Sequence, residues 1–364
     1  MMSRAFEPTS LGAMTLANRL VMAPMTRNRA TPDGQATALM ARYYAQRASA
    51  GLIISEGIQP SPVGQGFMNT PGLHDARQVG SWRQVTQAVH AQGGRIVAQL
   101  MHAGRIGHPS LYASAHQPIG PSALPAAGVA FTPSGPQPYP VPRALSLDEI
   151  RQTCADFAQA ARNALDAGFD GVEVHAGNGF LLHQFMARNC NARTDAYGGS
   201  PANRVRFTLE VVNAVSQAIG AERTGVRISP ANPYNDIDEG ESAALYRALV
   251  PELPALAYLH IMEAGNRAQT LEIRRLWAGR LVLNPHADAR SWPATPQVIE
   301  PLLRNGVVDA VCFGALFLAN PDLVERLSRQ AELNSADPTT FYGGGAKGYT
   351  DYPTLSEVES ASLG

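Results

Sequence analysis

Eight short apolar runs alternate with eight helical patterns along this chain, and few architectures accept that rhythm. The runs cover residues 19–25, 52–58, 95–102, 171–176, 225–229, 258–263, 280–284 and 310–314. Each is short and largely apolar, as expected for strands covered on both faces. The helical patterns cover residues 36–50, 79–92, 147–168, 202–219, 242–250, 268–277, 295–305 and 321–330. Ser146 with Glu149 forms a capping box for the third of these, and Gly168 suits its C-terminal end. Eight β–α units in series predict an α/β fold of the closed (β/α)8 TIM barrel type, with residues 1–364 as one domain. One connection breaks the rhythm. Residues 103–145 are rich in Pro, Gly and Ala and too long for a plain βα loop, so a capping subdomain over the C-terminal face is expected there.

Charge and composition narrow the function classes. The formal net charge is −1, from 29 basic and 30 acidic residues spread along the chain without a basic block. Nucleic acid and anionic membrane surfaces are therefore not expected partners. No stretch reaches the ~18 apolar residues of a membrane helix. The first eight residues lack the apolar core of a secretory signal. Cys154, Cys190 and Cys312 form no CxxC pair, which suits a reducing cytoplasm, and a cytoplasmic enzyme is expected.

On such a barrel, polar residues at the strand C-termini are the first functional candidates. Pro24, Met25 and Thr26 follow the first strand; Gln99, His102 and Arg105 lie on or after the third; His175 and Asn178 end the fourth; Arg227 lies on the fifth. His175 and Asn178, three residues apart, could both donate to one carbonyl or anionic oxygen, with Gly177 and Gly179 keeping the turn compact. Two positions on stands Phe180, which has no hydroxyl, so this site can polarise a substrate better than it can protonate one. Alone, Gln99 reads as a core amide and Arg227 as a buried ion-pair partner. Together they suit one ring: Gln99 offers a donor and an acceptor to an imide-like edge, Arg227 a charge near a ring nitrogen, and Thr26 a hydroxyl for a ring carbonyl. His175 and His183 lack a third ligand for zinc, so no metal site is expected. Gly343, Gly344 and Gly345 lack the P-loop context. No GxGxxG follows a first strand, so a nicotinamide would bind only transiently.

Several segments resemble the old yellow enzymes, flavin-dependent alkene reductases. They include Ala23-Pro24-Met25-Thr26-Arg27, Gln99-Leu100-Met101-His102-Ala103-Gly104-Arg105, the run around His175, Val226-Arg227-Ile228-Ser229-Pro230 and Phe341-Tyr342-Gly343. The resemblance implies a barrel with an N-terminal β-hairpin lid, holding FMN at its top. NAD(P)H would reduce the flavin, and hydride would pass to the β-carbon of an α,β-unsaturated carbonyl compound. By the same resemblance Pro24, Met25 and Thr26 line the flavin, Gly57 and Gln99 contact its ring, Arg227 sits by N1 and O2, and Gly314 belongs to the cofactor site. His175 and Asn178 grip the substrate oxygen, while Phe67 and Tyr342 shape its pocket.

The chain also departs from that pattern. Phe180 stands where the family places its proton-donor tyrosine, and Phe67 where it often has a pocket tyrosine. Asn284-Pro285-His286-Ala287 replaces a Gly-Gly phosphate cradle, and Ala315 replaces an arginine. Proline has no N–H to give. Loss of a charge-assisted contact worth ~1.5–3 kcal/mol predicts FMN affinity weakened about 10–100-fold, with Arg290 or His286 as candidate replacements. The expectation is an FMN-dependent NAD(P)H ene-reductase, monomeric or homodimeric. A redox-neutral or flavin-free isomerase or cyclase on an enone, and a non-catalytic binding protein, stay open as alternatives.

Overall fold

The apolar runs need cover on both faces, and barrel closure provides it. The computed structural model describes residues 4–288 and 294–361. Its strands are β1 (Leu20–Met22), β2 (Leu52–Ile58), β3 (Ile96–Leu100), β4 (Gly171–Ala176), β5 (Thr224–Ile228), β6 (Tyr258–Met262), β7 (Leu281–Asn284) and β8 (Ala310–Phe313). All neighbours pair in parallel, and β8 returns to β1 to close the barrel. Around it run α1 (Ala38–Ala45), α2 (Ala76–Ala91), α3 (Leu147–Asp166), α4 (Pro201–Ile219), α5 (Ser242–Leu249), α6 (Arg267–Leu276), α7 (Ile299–Arg304) and α8 (Leu323–Arg329). The capping box of α3 forms as its residues require: Ser146 Oγ accepts from the Glu149 N–H, and the Glu149 carboxylate accepts from the Ser146 N–H at 2.9 Å. Ile150, Phe157, Ala161 and Ala164 then form its buried face.

The barrel interior has two levels. The lower is apolar, built from Val21, Leu52, Ile54, Val97, Tyr258, Val282, Ala310 and Cys312. An antiparallel hairpin, Thr9–Leu11 with Met14–Leu16, adds Leu11, Met14 and Leu16 to this cluster and plugs the bottom. Its turn needs Gly12: φ is +55°, and a Cβ there would lie 2.1 Å from the Glu222 carbonyl oxygen. The upper level is polar, with Gln99, Glu173, Arg227, His260 and Asn284 all buried. This gradient directs any polar ligand to the C-terminal face.

Residues 103–145 hold a hairpin, Val129–Thr132 with Gly135–Pro138, and a parallel pair, Ile119–Gly120 with Arg143–Ala144. Arg105 ties this excursion down, donating to the Asp236 carbonyl at 2.6 Å, the Asp236 carboxylate at 3.1 Å and the Pro125 carbonyl at 3.1 Å. Arg193 holds its other end through the carbonyls of Pro121 and Leu145. Among the described residues, no helix is long and apolar enough to cross a membrane.

Candidate active site

A belt of buried polar side chains rings the top of the barrel. The Gln99 amide nitrogen donates to Glu173 Oε1 at 2.8 Å, and Glu173 Oε2 meets His260 Nδ1 at 2.8 Å. Arg227 donates to Asn284 Oδ1 at 3.1 Å, and the Asn284 amide donates to the Cys312 carbonyl at 3.1 Å. Burial alone would raise the Glu173 carboxyl, but the adjacent His260, Arg227 and Gln99 outweigh it and hold the group below its ordinary value. Burial lowers His260, and attraction to Glu173 only partly offsets that. In this pair Glu173 accepts and His260 Nδ1 donates. Arg227 is lowered by burial and supported by Glu173; a guanidinium in this setting keeps its charge.

Some donors and acceptors of this belt are left over. Arg227 Nε, His175 Nδ1 and His260 Nε2 are buried without a protein partner. Such atoms are costly unless something completes them. Beside them β2 carries a register shift between Ile54 and Gly57, which sets Gly57 opposite Gln99. A Cβ at Gly57 would lie 2.7 Å from Met101 Sδ, so bare backbone is required there. Bare backbone, a free guanidinium nitrogen and an oriented amide fit the polar edge of a flat heterocycle such as the flavin ring.

After β4 the chain turns sharply. Asn178 holds φ +53° and Gly179 φ +76°, conformations more readily adopted by Asn and Gly than by other residues. Ser229 Oγ accepts from the Asn178 N–H at 2.7 Å, and the Asn235 amide donates to the Asn178 carbonyl at 2.8 Å. The Asn232 amide donates to Asn178 Oδ1 at 3.0 Å. That bond assigns the amide orientation and leaves the Asn178 nitrogen to donate elsewhere. His183 supports the same turn: its Nδ1 accepts from the Gly179 N–H at 3.0 Å, and its Nε2 meets Glu239 at 2.6 Å. Burial first, then Arg227, holds His175 well below its ordinary value, so it is a neutral imidazole. Phe180 is buried, its ring centroid 5.4 Å from that of His175 and 6.2 Å from that of Phe67, edge to face. With Met101, Ala103, Ile106 and Ala126 it forms an apolar wall beside the two donors, and Tyr139 packs at its edge.

Pro24, Met25 and Thr26 lie half-buried just beyond β1. Met25 Sδ is 3.3 Å from where a Gly314 Cβ would stand, which joins the first and last strands at this point. Tyr342 is 69% exposed, on a strap that follows Phe341. Arg27 holds that strap through the carbonyls of Phe341 and Gly348, both at 2.8 Å, and Arg29 holds it through Gly345 at 3.1 Å.

The β7–β8 end differs from the rest. The His286 N–H, the first after Pro285, donates to Glu263 Oε2 at 3.0 Å. Glu263 in turn is paired with Arg267 at 2.5 and 2.8 Å. Burial lowers the His286 imidazole to about 4, so it brings no charge to an anion at neutral pH. A short helix, Ala315–Ala319, follows β8 directly and offers no charged side chain at its first residue. Arg290 lies outside the described residues.

Glu173, His260, Asn232 and Glu263 were not among the residues singled out from sequence, and Asn284 was named only as part of the altered phosphate loop. One signal was available for the first two: a charged or titratable group in a continuous apolar run, two positions from another on one strand, must face the barrel interior.

The family model for the NADH:flavin oxidoreductase / NADH oxidase family matches residues 4–334. A probable flavin mononucleotide-dependent alkene reductase of Leishmania infantum is 42% identical over 356 residues, covering 96% of this chain and 97% of that protein. The 12-oxophytodienoate reductase 1 of Oryza sativa subsp. japonica is 39% identical over 369 residues, covering 98% and 94%. Among solved structures, the old yellow enzyme homologue from Zymomonas mobilis superposes with a TM-score of 0.92 at 42% identity, covering 96% of this chain and 99% of that one. Morphinone reductase in complex with tetrahydroNAD superposes with a TM-score of 0.89 at 44% identity, covering 96% and 97%.

Proposed function

Because the chain belongs to the FMN-dependent NADH:flavin oxidoreductase / NADH oxidase family, that of the old yellow enzymes, we propose that it reduces the C=C bond of α,β-unsaturated carbonyl compounds at the expense of NAD(P)H. The carrying observation is the pair of oriented donors, His175 and the Asn178 amide nitrogen, beside the apolar wall of Phe180 and Phe67. Bound FMN would supply the hydride chemistry between nicotinamide and substrate β-carbon. Gln99, Arg227 and the bare backbone at Gly57 would hold its ring, with Pro24, Met25 and Thr26 along one side and Gly314 at the far end.

His175 and Asn178 would bind the substrate oxygen and stabilise the negative charge that develops there as the β-carbon is reduced. Preorganised donors of this kind each contribute about 10²–10³ in rate. His175, being neutral, donates without competing for the α-carbon proton. Phe180 would pack against the alkene and exclude water from its own face. With no hydroxyl at position 180, the α-carbon proton would come from solvent at the rim, near Tyr342. A cytoplasmic location and a monomer or homodimer complete the reading.

The same absence of a phenol favours a second reading, redox-neutral isomerisation of an enone. Purified protein loaded with FMN and given NADPH and 2-cyclohexenone separates the two. Stoichiometric NADPH oxidation with saturated ketone as product supports reductase function. Rearranged enone without NADPH oxidation would replace it with the isomerase.

A further inference from the structure

The polar belt contains one carboxylate, and its placement goes beyond what the reaction itself requires. Glu173 sits on β4 two residues before His175, fully buried, bonded to the imidazole of His260 and within the electrostatic reach of the Arg227 guanidinium. Each of its oxygens is engaged: Oε1 by Gln99 at 2.8 Å and Oε2 by His260 at 2.8 Å. An ionised carboxylate is acceptor-only, so Gln99 must present its NH2 to Glu173 and turn its carbonyl oxygen elsewhere. The Gln99 Cα is the register partner of both Gly57 and Glu173, on the two adjoining strands. The same carboxylate opposes the charge of Arg227, which is buried and has an Nε without a protein partner.

We propose that Glu173 is a positioning residue for the flavin: it fixes which face of the Gln99 amide meets the ring, and its charge offsets Arg227 and so lowers the potential of the bound cofactor. The assignment rests on the reading of this site as a flavin site. Two roles follow from one side chain, and they separate experimentally. Charge acts on the potential, because a flavin gains negative charge on reduction and a nearby carboxylate opposes that gain. Reach acts on affinity, because a shorter side chain cannot hold the Gln99 amide.

Glu173→Gln keeps the shape and removes the charge. Its bound flavin is expected to shift by at least about tenfold in the reduced-to-oxidised ratio at fixed potential, in favour of the reduced form, or about 30 mV for a two-electron couple. Glu173→Asp keeps the charge and loses the reach. It is expected to retain the wild-type potential while binding FMN several-fold more weakly, and it carries the test if the Gln variant fails to fold. Both are read by dye-coupled redox titration and by fluorescence titration of FMN, with no turnover involved. Equal potentials in wild type and Glu173→Gln would overturn the assignment, as would a Glu173→Asp shift as large as that of Glu173→Gln. Wild-type protein that takes up no flavin would sink the functional reading and this assignment with it. Flavin-loaded protein whose potential and affinity ignore both substitutions would sink the assignment alone.

Discussion

From β3 to β6 the top of the barrel is a connected set of oriented donors and acceptors; after β7 and β8 the described residues offer a proline, a backbone N–H already taken by Glu263 from the end of β6, and an alanine. In the first region Gln99, Glu173 and His260 are bonded in series, and Arg227 and His175 keep unpartnered nitrogens for a ligand. In the second, Glu263 already takes the His286 N–H and an arginine. The contrast separates two tasks. The first region is built to hold and tune a ring and to polarise an oxygen. In the second, where barrel enzymes frequently bind phosphate, the described residues contribute less. Substitutions in the first region should therefore alter rates, and substitutions in the second should alter cofactor retention.

The hardest test of the first region is the double variant His175→Ala, Asn178→Ala. Enone reduction should fall at least about 10²–10³-fold, the loss of oxyanion donors, with FMN content unchanged; a loss of flavin instead would erase the division of labour. Phe180→Tyr should accelerate the oxidative half-reaction in stopped flow by at least ~10-fold, toward the 10²–10⁴-fold worth of a placed general acid. An unchanged rate there would mean that protonation is not limited at this wall.

Ala315→Arg probes the other region. A new charge-assisted contact worth ~1.5–3 kcal/mol should tighten FMN about 10–100-fold while leaving riboflavin, which has no phosphate, unaffected. Equal gains for both flavins would place the phosphate elsewhere. The smallest effect is expected from Asn232→Ala, which frees the Asn178 amide to rotate. One neutral hydrogen bond of ~1 kcal/mol predicts a roughly fivefold rise in KM for the enone, and no change in flavin binding.

Much of this was readable before any coordinates. The runs at 52–58 and 171–176 match β2 and β4 end to end, because short runs rich in Ile and Val between turn residues leave little choice. The run at 19–25 overstates β1, which stops at Met22: the chain leaves the sheet ahead of Pro24, whose ring cannot donate to a ladder. The pattern at 36–50 overstates α1, which ends at Ala45. There the Arg47 side chain reaches the Phe317 and Leu318 carbonyls, and its own N–H closes a tight turn onto Tyr44. The pattern at 295–305 splits at Ile299, after a 3-10 turn. His175 and Asn178 were legible as a pair, since their spacing alone puts them together. Glu173 and His260 were not, because their meeting depends on barrel register across three strands, which local pattern does not encode. Tyr342 stands exposed on a strap whose carbonyls, not the tyrosine ring, are what the arginines hold.

The strap carrying Tyr342 sets an order of events. The Arg27–Phe341 bond spans 314 positions of sequence, and the return of β8 to β1 is what brings its two ends together. Arg27 is fully buried once the strap is down, so until then its charge has no carbonyls to meet and the first βα loop cannot settle. The rim of the site should therefore be the last part of the molecule to become native. Refolding protein should regain barrel circular dichroism before it regains a competent mouth.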